Sequence, residues 1–197
     1  MPIVRMIAVV ALAVAAPGLA IAQDFASLYS STAARNCKKV DAAKEGEGDW
    51  SVWLCSGIGR YVVRVTDDDL RITVSIGRTL GDAANEPASK HYFRPFNRIH
   101  DTLEWRMTKG VPFATIQRWF LYDSINMDES GKPAQSAMLV VTRLEPACHV
   151  GYVDVHANAI ANAMARKAAD EHARSFDCKS QPIVIGKAGP AIELARP

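Results

Sequence analysis

Between residues 61 and 77, hydrophobic and polar side chains alternate in two runs that are joined by three aspartates. The second run has hydrophobic residues at every other position from Leu70 to Ile76, which is the period of a strand with one buried face. In the first run, Tyr61, Val63 and Val65 share a face in the same way. The aspartates at residues 67–69 supply a polar turn. The pattern therefore predicts a β-hairpin, around which we expect the rest of the chain to fold.

Alternation of the same kind predicts further strands at residues 50–55, 103–107, 113–122, 136–144 and 148–155. Small and apolar residues then repeat at helical spacing through residues 157–176, which predicts one long helix of about five turns. At residues 24–33 we expect a short helix capped by Asp24 or, alternatively, a loosely attached arm, and a polar loop follows at residues 38–49. After the long helix, only residues 182–185 have strand character, and residues 187–197 are expected to form a loose tail.

These elements are expected to form a single domain that spans residues 23–186. The predicted fold class is α+β: an antiparallel β meander of about six or seven strands with one long C-terminal helix packed on it. An all-β fold is disfavoured because the residues of the predicted helix are strong helix formers.

The alternation stops between residues 78 and 101, a stretch far longer than the usual connection of about four to six residues. Its second half, residues 90–100, interleaves aromatic with basic side chains. Such side chains are enriched in binding hot spots because they combine contact area with charge-assisted hydrogen bonds. The candidate binding residues are therefore Tyr92, Phe93, Arg94, Phe96 and Arg98. The alternative is that the aromatic rings only plug one end of the sheet.

The N-terminus has the features of a secretory signal peptide, which we assign to residues 1–22. Arg5 gives a basic start, residues 6–16 are apolar, and the small residues at 20–22 form a cleavage site. The apolar run is shorter than the roughly 20 residues that span a bilayer, so we expect no membrane span after cleavage. Export places the protein in the periplasm or, alternatively, outside the cell.

Export to an oxidising compartment predicts that the four cysteines form two disulfides. We expect the pairing that is local in sequence, Cys37 with Cys55 and Cys148 with Cys178. A strand over residues 148–155 would run about 26 Å. A helix over residues 158–176 would return about 28 Å, so the ends of the second pair would meet. The chain has no CxxC-type pair that would favour a metal site.

The sequence contains no GxSxG or SxxK motif that would identify a catalytic nucleophile. Asp154 and His156 share a strand face and could hold a metal, but His149 has the opposite parity and would face away unless a bulge intervened. We therefore expect ordinary histidines, no metal and no cofactor.

The charge of the chain argues against nucleic acid as a partner, because a formal net charge of +2 is nearly neutral. An anion-binding stripe across an open sheet face could still be formed by Arg64, Arg71, Arg106 and Arg118. The alternative is a solvated face whose charge is balanced by Glu104 and the aspartates of the turn.

The whole chain after the signal peptide resembles uncharacterised exported proteins of bacteria, through the W-x-x-W-L-C element at residues 50–55 and the C-H-V-G-Y-V-D segment at residues 148–154. It is also similar to the periplasmic lysozyme inhibitors, which are small, disulfide-bonded, β-rich domains. At residues 49–52, before a cysteine, it resembles the invasion-associated locus B proteins. No functional residue follows from these resemblances.

Together these features predict an exported protein that binds a partner without catalysis, or an inhibitor-type envelope protein. The alternative is an envelope enzyme whose active site carries no recognisable motif. The expected partner is another envelope protein or an anionic envelope ligand.

Overall fold

The computed structural model describes residues 25–196, so the predicted signal peptide lies outside the described residues. In chain order the strands are β1 (Phe25–Ser31), β2 (Cys37–Ala42), β3 (Trp50–Ser56), β4 (Val62–Asp68), β5 (Arg71–Gly77), β6 (Asn97–Thr108), β7 (Val111–Met127), β8 (Pro133–Arg143), β9 (Cys148–Asp154) and β10 (Ile183–Val184). The helices are α1 (Leu80–Asn85), α2 (Ala161–His172) and α3 (Pro190–Ala195), with short 3-10 turns at Ala34–Asn36 and Pro87–Lys90. Among the described residues, no helix has the length and hydrophobicity needed to cross a membrane.

The strands of the described chain form two sheets, one of six strands in the order β1-β6-β7-β8-β9-β10 and one of four in the order β2-β3-β4-β5. Neighbouring strands are antiparallel, except that β10 runs parallel to β9. From β1 in the larger sheet the chain passes to the strands of the smaller sheet, and then returns to the larger sheet, where β6 pairs with β1. The α+β class is therefore confirmed, but the prediction of a single meander is wrong. Two facing sheets cover each other's hydrophobic faces, which one continuous sheet of these strands could not do.

The hairpin predicted at residues 61–77 is confirmed as β4 and β5, whose register brings Val65 opposite Val74. Both of these side chains are buried. The turn lies at Asp69 and Leu70, which have positive φ angles of 51° and 61°. Positive φ at both turn residues matches the twist of a tight hairpin. Leu70, expected on the buried face, is as a result 57% exposed.

The main core lies between the two sheets. Both sheets contribute buried side chains to it, including Val63, Val65, Val74 and Ile76 from the smaller sheet and Leu103, Trp105, Trp119, Leu121, Met138 and Val140 from the larger one. Each fully buried large side chain stabilises the fold by about 2 kcal/mol relative to an exposed one. This core fixes the position of the two sheets relative to each other. The geometry of the candidate site depends on that position.

Helix α2 packs on the opposite face of the larger sheet and forms a second core there. The prediction of one long helix over residues 157–176 is wrong, because α2 spans only Ala161–His172. The Asp154 carboxylate accepts hydrogen bonds from the backbone N–H groups of His156 and Ala157, at 2.9 and 2.8 Å. These bonds hold the residues before α2 in a turn and delay the start of the helix.

Two segments predicted as other structure become edge strands. Residues 25–31, expected as a helix, form β1, and every residue of β1 pairs with β6. The loop expected at residues 38–49 is replaced in part by β2, which pairs with β3. Both predictions are wrong because a neighbouring strand supplies hydrogen-bond partners that the local pattern does not reveal.

The long connection between β5 and β6 is ordered by contacts with both sheets. Thr79 caps α1 with its side chain. Helix α1 lies so close to β5 that a Cβ atom at Gly77 would be 2.4 Å from the backbone nitrogen of Ala83. The next 3-10 turn is bound to the chain before β9, since the Ala88 N–H donates to the Ala147 carbonyl at 2.9 Å. The connection therefore bridges the two sheets beside β5 and β9.

Both predicted disulfides are confirmed, Cys37 with Cys55 and Cys148 with Cys178. The first joins directly opposed residues of β2 and β3. The second ties the first residue of β9 to the chain that follows α2. Disulfides of this kind are typical of proteins outside the reducing cytoplasm.

The C-terminal residues form α3 instead of the loose tail expected from their lack of periodicity. Ala191 and Ile192 of this helix are buried, and both belong to the core between the sheets. The buried Asp154 carboxylate also accepts a hydrogen bond from the Ala191 N–H at 2.9 Å. Contacts with distant residues therefore order a segment whose own sequence shows no pattern.

Candidate functional site

The structure separates the predicted binding residues into one core residue and two surface sites. Phe93 is 1% exposed and packs among aromatic side chains between the sheets. The plug interpretation therefore holds for this ring, and a direct binding role for Phe93 does not fit the structure. Tyr92 and Arg94 line one cleft, and Phe96 and Arg98 line a separate groove.

The groove that contains Phe96 and Arg98 has a volume of about 680 Å³. Phe96 is 40% exposed, and the Arg71 guanidinium lies 4.6 Å from its ring centre. Arg98 Nε donates a hydrogen bond to the Tyr122 hydroxyl at 2.9 Å. Both arginines are thus engaged by aromatic residues of the protein itself, and the groove offers mainly apolar surface.

Two histidines share one tyrosine hydroxyl on the inner face of β9. The Tyr152 hydroxyl lies 3.0 Å from Nδ1 of His149 and 2.9 Å from Nε2 of His91. The two imidazole rings are 4.4 Å apart, and the Phe93 ring stacks on that of His149 at 5.9 Å. A hydroxyl has one proton, so it donates to one neutral imidazole and accepts an N–H from the other. The three side chains therefore form a hydrogen-bonded chain with two possible arrangements of its protons.

A bulge in β9 brings His149 and Tyr152 to the same face. The pairing of β9 with β8 shifts at Val150, which is the extra residue in the bulge. In a regular strand, residues three positions apart lie on opposite faces. The sequence raised a bulge only as a condition for a metal site, and so it missed this network. Within residues 25–196, no three histidine, cysteine, aspartate or glutamate side chains are placed to share a metal ion.

One feature of the sequence could have suggested the network. All residues of β9 are buried, and the strand has a histidine and a tyrosine among its hydrophobic residues. A buried polar side chain needs a hydrogen-bond partner, so a histidine and a tyrosine in a strand covered on both faces indicate buried polar contacts, although not that the two contact each other. The position of His91, which is distant in sequence, could not have been found in this way.

Burial keeps the network uncharged near neutral pH. It lowers the pKa of His91. Burial, together with the charge of His91, lowers the pKa of His149 well below its usual range. Burial also raises the pKa of the Tyr152 hydroxyl. The network therefore carries no charge, so the charge that would attract a ligand must come from the residues around it.

A cleft of about 440 Å³ opens beside the network, and we call it the His91 cleft. Its polar lining includes His91, Tyr92, Arg94, Gln181 and Arg196, and its apolar lining includes Val184 and Ile192. A second cleft of about 240 Å³, the Lys179 cleft, shares His91 and Gln181 and adds Lys90 and Lys179. The described residues that line the two clefts include no carboxylate. A lining with several basic side chains and no carboxylate favours an anionic ligand.

Most of these basic side chains have no internal counter-ion. Lys90, Arg94 and Lys179 form no side-chain ion pair or hydrogen bond with any of residues 25–196. Arg196 is bound to Glu193 at 2.8 Å. Three cations at adjoining clefts are therefore open to a ligand from solution.

The C-terminal segment is held over the network by three kinds of contact. The Cys148–Cys178 disulfide fixes its start, and β10 pairs with β9 so that Val184 lies opposite Tyr152. A Cβ atom at Gly151 would be 2.7 Å from the Ile183 carbonyl oxygen, so glycine allows β10 to lie this close. The hydrogen bond from α3 to Asp154 fixes its end. The cleft is therefore built from segments that are far apart in the sequence.

The arginine stripe that the sequence suggested is not a single surface. Arg64 and Arg71 belong to the smaller sheet. Arg106 lies beneath α2 and donates to the Asp170 carboxylate at 2.9 and 2.7 Å. Arg118 also contacts α2. Helix α2 covers the face on which Arg106 and Arg118 lie. These two arginines therefore belong neither to an anion-binding stripe nor to an open, solvated sheet face.

The chain is thus an α+β domain of two facing sheets, with clefts that are lined by basic side chains and bordered by a disulfide-tethered C-terminal segment. Comparison of the chain with protein-family models, curated protein sequences and solved structures found no match.

Proposed function

We propose that the protein is an exported binding protein that holds an anionic ligand in the His91 cleft without catalysing a reaction. The observation that carries this proposal is the set of basic side chains around the His91 and Lys179 clefts, with no carboxylate in their described lining. Arg94, Lys90 and Lys179 form no ion pair with the described residues, so their positive charges favour binding of a negative group at this position.

The cleft has the chemistry for a carboxylate or a phosphate attached to a partly apolar body. The planar guanidinium of Arg94 can bind either group through two parallel hydrogen bonds. Val184 and Pro182 supply apolar surface for the remainder of the ligand. The volume of about 440 Å³ lies in the range of small-molecule sites. The neutral His91–Tyr152–His149 network supports the floor of the site and adds hydrogen-bonding groups at its edge.

The predicted signal peptide and the two disulfides support a location outside the cytoplasm. We place the protein in the periplasm, with the cell exterior as the alternative. Immunodetection in the osmotic-shock fraction and in the culture medium of the producing cells distinguishes the two. Recovery of the mature chain only from the cytoplasm would contradict both locations.

Titration with citrate and with inorganic phosphate, followed by amide NMR shifts, tests the binding site. We expect saturable shifts at residues 90–94 and 179–184. Arg94→Gln should weaken binding by about tenfold, because it removes a charge-assisted hydrogen bond worth about 1.5 kcal/mol. Lys109→Gln is the matched control, since Lys109 lies in the turn between β6 and β7, at the far end of β6 from the cleft.

Equal effects of Arg94→Gln and Lys109→Gln would show nonspecific attraction and would contradict the proposal. So would the absence of saturable shifts with either anion. Amide spectra of both variants without anion show whether each variant is folded, so that weaker binding is not confused with unfolding.

One observation favours an enzyme as the second candidate. The Tyr152 hydroxyl joins His91, which faces the cleft, to the fully buried His149, and such a chain could relay a proton during acid–base catalysis. His149→Asn retains a hydrogen-bonding group near Nδ1 but cannot titrate. In a binding protein this change leaves anion affinity within about twofold of wild type, whereas in an enzyme it lowers turnover of a substrate at unchanged affinity.

A further inference from the structure

A third cleft adjoins the two that form the proposed site. It has a volume of about 570 Å³, lies against β4 and β5 of the smaller sheet, and we call it the Arg64 cleft. Tyr92 lines both this cleft and the His91 cleft, while Lys90 lines both this cleft and the Lys179 cleft. Residues 90–92 therefore stand at the junction of all three clefts.

Basic side chains continue from one cleft to the next. Arg64 of β4 forms no ion pair or side-chain hydrogen bond with any described residue, as is also true of Lys90 and Arg94. Burial lowers the pKa of Arg64, because part of its guanidinium is removed from water without a compensating carboxylate. Asp68 and Asp69 also line the Arg64 cleft, but Asp69 is bound to Arg71 at 2.9 Å. Asp68 is then the one carboxylate of the lining that faces Arg64 and Lys90 without an ion pair to the described residues, so the Arg64 cleft has an excess of one positive charge beyond the space that one small anion could occupy.

An aromatic ring lies on the ridge between the charged clefts. Tyr92 is 60% exposed, in contrast to the neighbouring Phe93, which is 1% exposed. An exposed ring of this kind offers a flat apolar face with a polar edge. The face of a sugar ring that carries only C–H bonds is complementary to such a surface, and the acidic groups of neighbouring sugars would then lie over the clefts on either side.

We propose that the ligand is an acidic polysaccharide, a chain of sugars with carboxylate groups, that runs from the His91 cleft over Tyr92 to the Arg64 cleft. This inference rests on the proposed function, because one acidic sugar must occupy the His91 cleft. Single-stranded nucleic acid fits less well, since its bases stack on successive aromatic rings and the protein carries a formal net charge of only +2.

Calorimetric titration at fixed ionic strength with galacturonate and with its α-1,4-linked hexamer tests the length of the site. We expect the hexamer to bind at least about tenfold more tightly than the monomer, because it links contacts in adjoining clefts. Arg64→Gln should abolish most of this gain and leave monomer affinity unchanged. Tyr92→Ala should weaken hexamer binding by about tenfold, as loss of a stacking ring does in other extended sites. Lys109→Gln is the control and should change neither affinity.

The uncharged analogue maltohexaose, inorganic polyphosphate and single-stranded DNA complete the test. Polyphosphate or DNA binding as tightly as the uronate hexamer, with no effect of Tyr92→Ala, would overturn the inference in favour of a general polyanion site. Equal affinities of monomer and hexamer would also overturn it, while saturable citrate binding that is weakened by Arg94→Gln would leave the proposed function standing. If neither citrate nor any uronate perturbs residues 90–94, the proposed function fails and the inference fails with it.

Discussion

Neighbouring side chains in the segment before β6 have opposite environments, and this difference decides which of them can meet a ligand. Phe93 is 1% exposed and contacts the rings of Trp119, His149 and Tyr152, whereas Tyr92 is 60% exposed at the junction of the clefts. Phe93 therefore supports the network from below, while Tyr92 lies where the proposed ligand would bind. The same segment contributes one ring to the core and one ring to the proposed binding surface.

Replacement of each phenylalanine by alanine separates these roles. Phe93→Ala should lower the free energy of unfolding by about 3 kcal/mol or more, because it leaves a cavity in the core between the sheets. Phe96→Ala should cost less than about 1 kcal/mol, since it removes a half-exposed ring and one contact with Arg71. Chemical denaturation of both variants measures the difference. A similar loss in the two variants would contradict the assignment of Phe93 to the core.

The buried His149 makes stability depend on pH. Its pKa in the folded protein is well below the value of 6.5 that applies to an unperturbed histidine. Below about pH 6.5 the unfolded chain binds a proton that the folded chain does not, so the free energy of unfolding falls by up to about 1.4 kcal/mol per pH unit for this residue. Denaturation at pH 7.5, 6.5 and 5.5 measures this slope. His149→Asn should reduce the slope below pH 6.5, and an unchanged slope would show that His149 does not titrate on unfolding.

At the scale of elements, α2 can lie close to the larger sheet because its buried residues are all small. They are Ala161, Ala165, Ala168 and Ala169. On the same helix Arg166 reaches the Glu104 carboxylate at 2.7 Å, and Asp170 pairs with Arg106 of the sheet at 2.7 Å. Small residues set the distance between helix and sheet, and the two ion pairs set their orientation.

Ala165→Leu tests this close packing. Ala165 is 0% exposed, so the larger side chain should force the helix away from the sheet and cost about 2 kcal/mol or more of unfolding free energy. Ala163→Leu is the matched control on the same helix, because Ala163 is exposed and its replacement should change stability by less than about 0.5 kcal/mol. Equal stability of the two variants would mean that α2 has room at its buried face.

At the scale of the whole molecule, the two disulfides have different consequences. Cys37 and Cys55 join neighbouring strands of the smaller sheet, which already pair through their backbones. Cys148 and Cys178 instead tie the segment that contains Lys179, β10 and α3 to the sheet that bears the His–Tyr–His network. Of these two disulfides, only the second lines a cleft of the proposed site.

Removal of each disulfide by paired Cys→Ala substitution should lower stability by similar amounts. The bridged residues are separated by 18 and 30 positions, and the loss of loop-closure constraint should cost about 3 kcal/mol in each case. Citrate binding should nevertheless fall severalfold only in Cys148→Ala/Cys178→Ala. Denaturation and NMR titration of both variants measure the two quantities. Equal binding in the two disulfide variants would contradict the role of the tether in the site.

Part of the site could be predicted from the sequence. The break in alternation predicted a binding segment at residues 90–100, and Tyr92 and Arg94 of that segment line the His91 cleft. His149, Tyr152 and Lys179 were missed as site residues because they become neighbours only through a bulge, a strand pairing and a disulfide. Phe93 was predicted as a binding residue together with Tyr92, because the sequence of a loop does not show which aromatic ring faces the core.

The sequence by itself determined the features that depend on local periodicity and composition: the β4–β5 hairpin, the strands that are hydrophobic on alternate positions, and the local pairing of the cysteines. Tertiary structure alone decided that β1 is a strand, that α2 is short, and that α3 is ordered. It also decided that the strands form two sheets and that the basic residues converge. The physical reason is that hydrogen bonds and burial supplied by distant residues outweigh weak local preferences, and these partners exist only once the chain has folded.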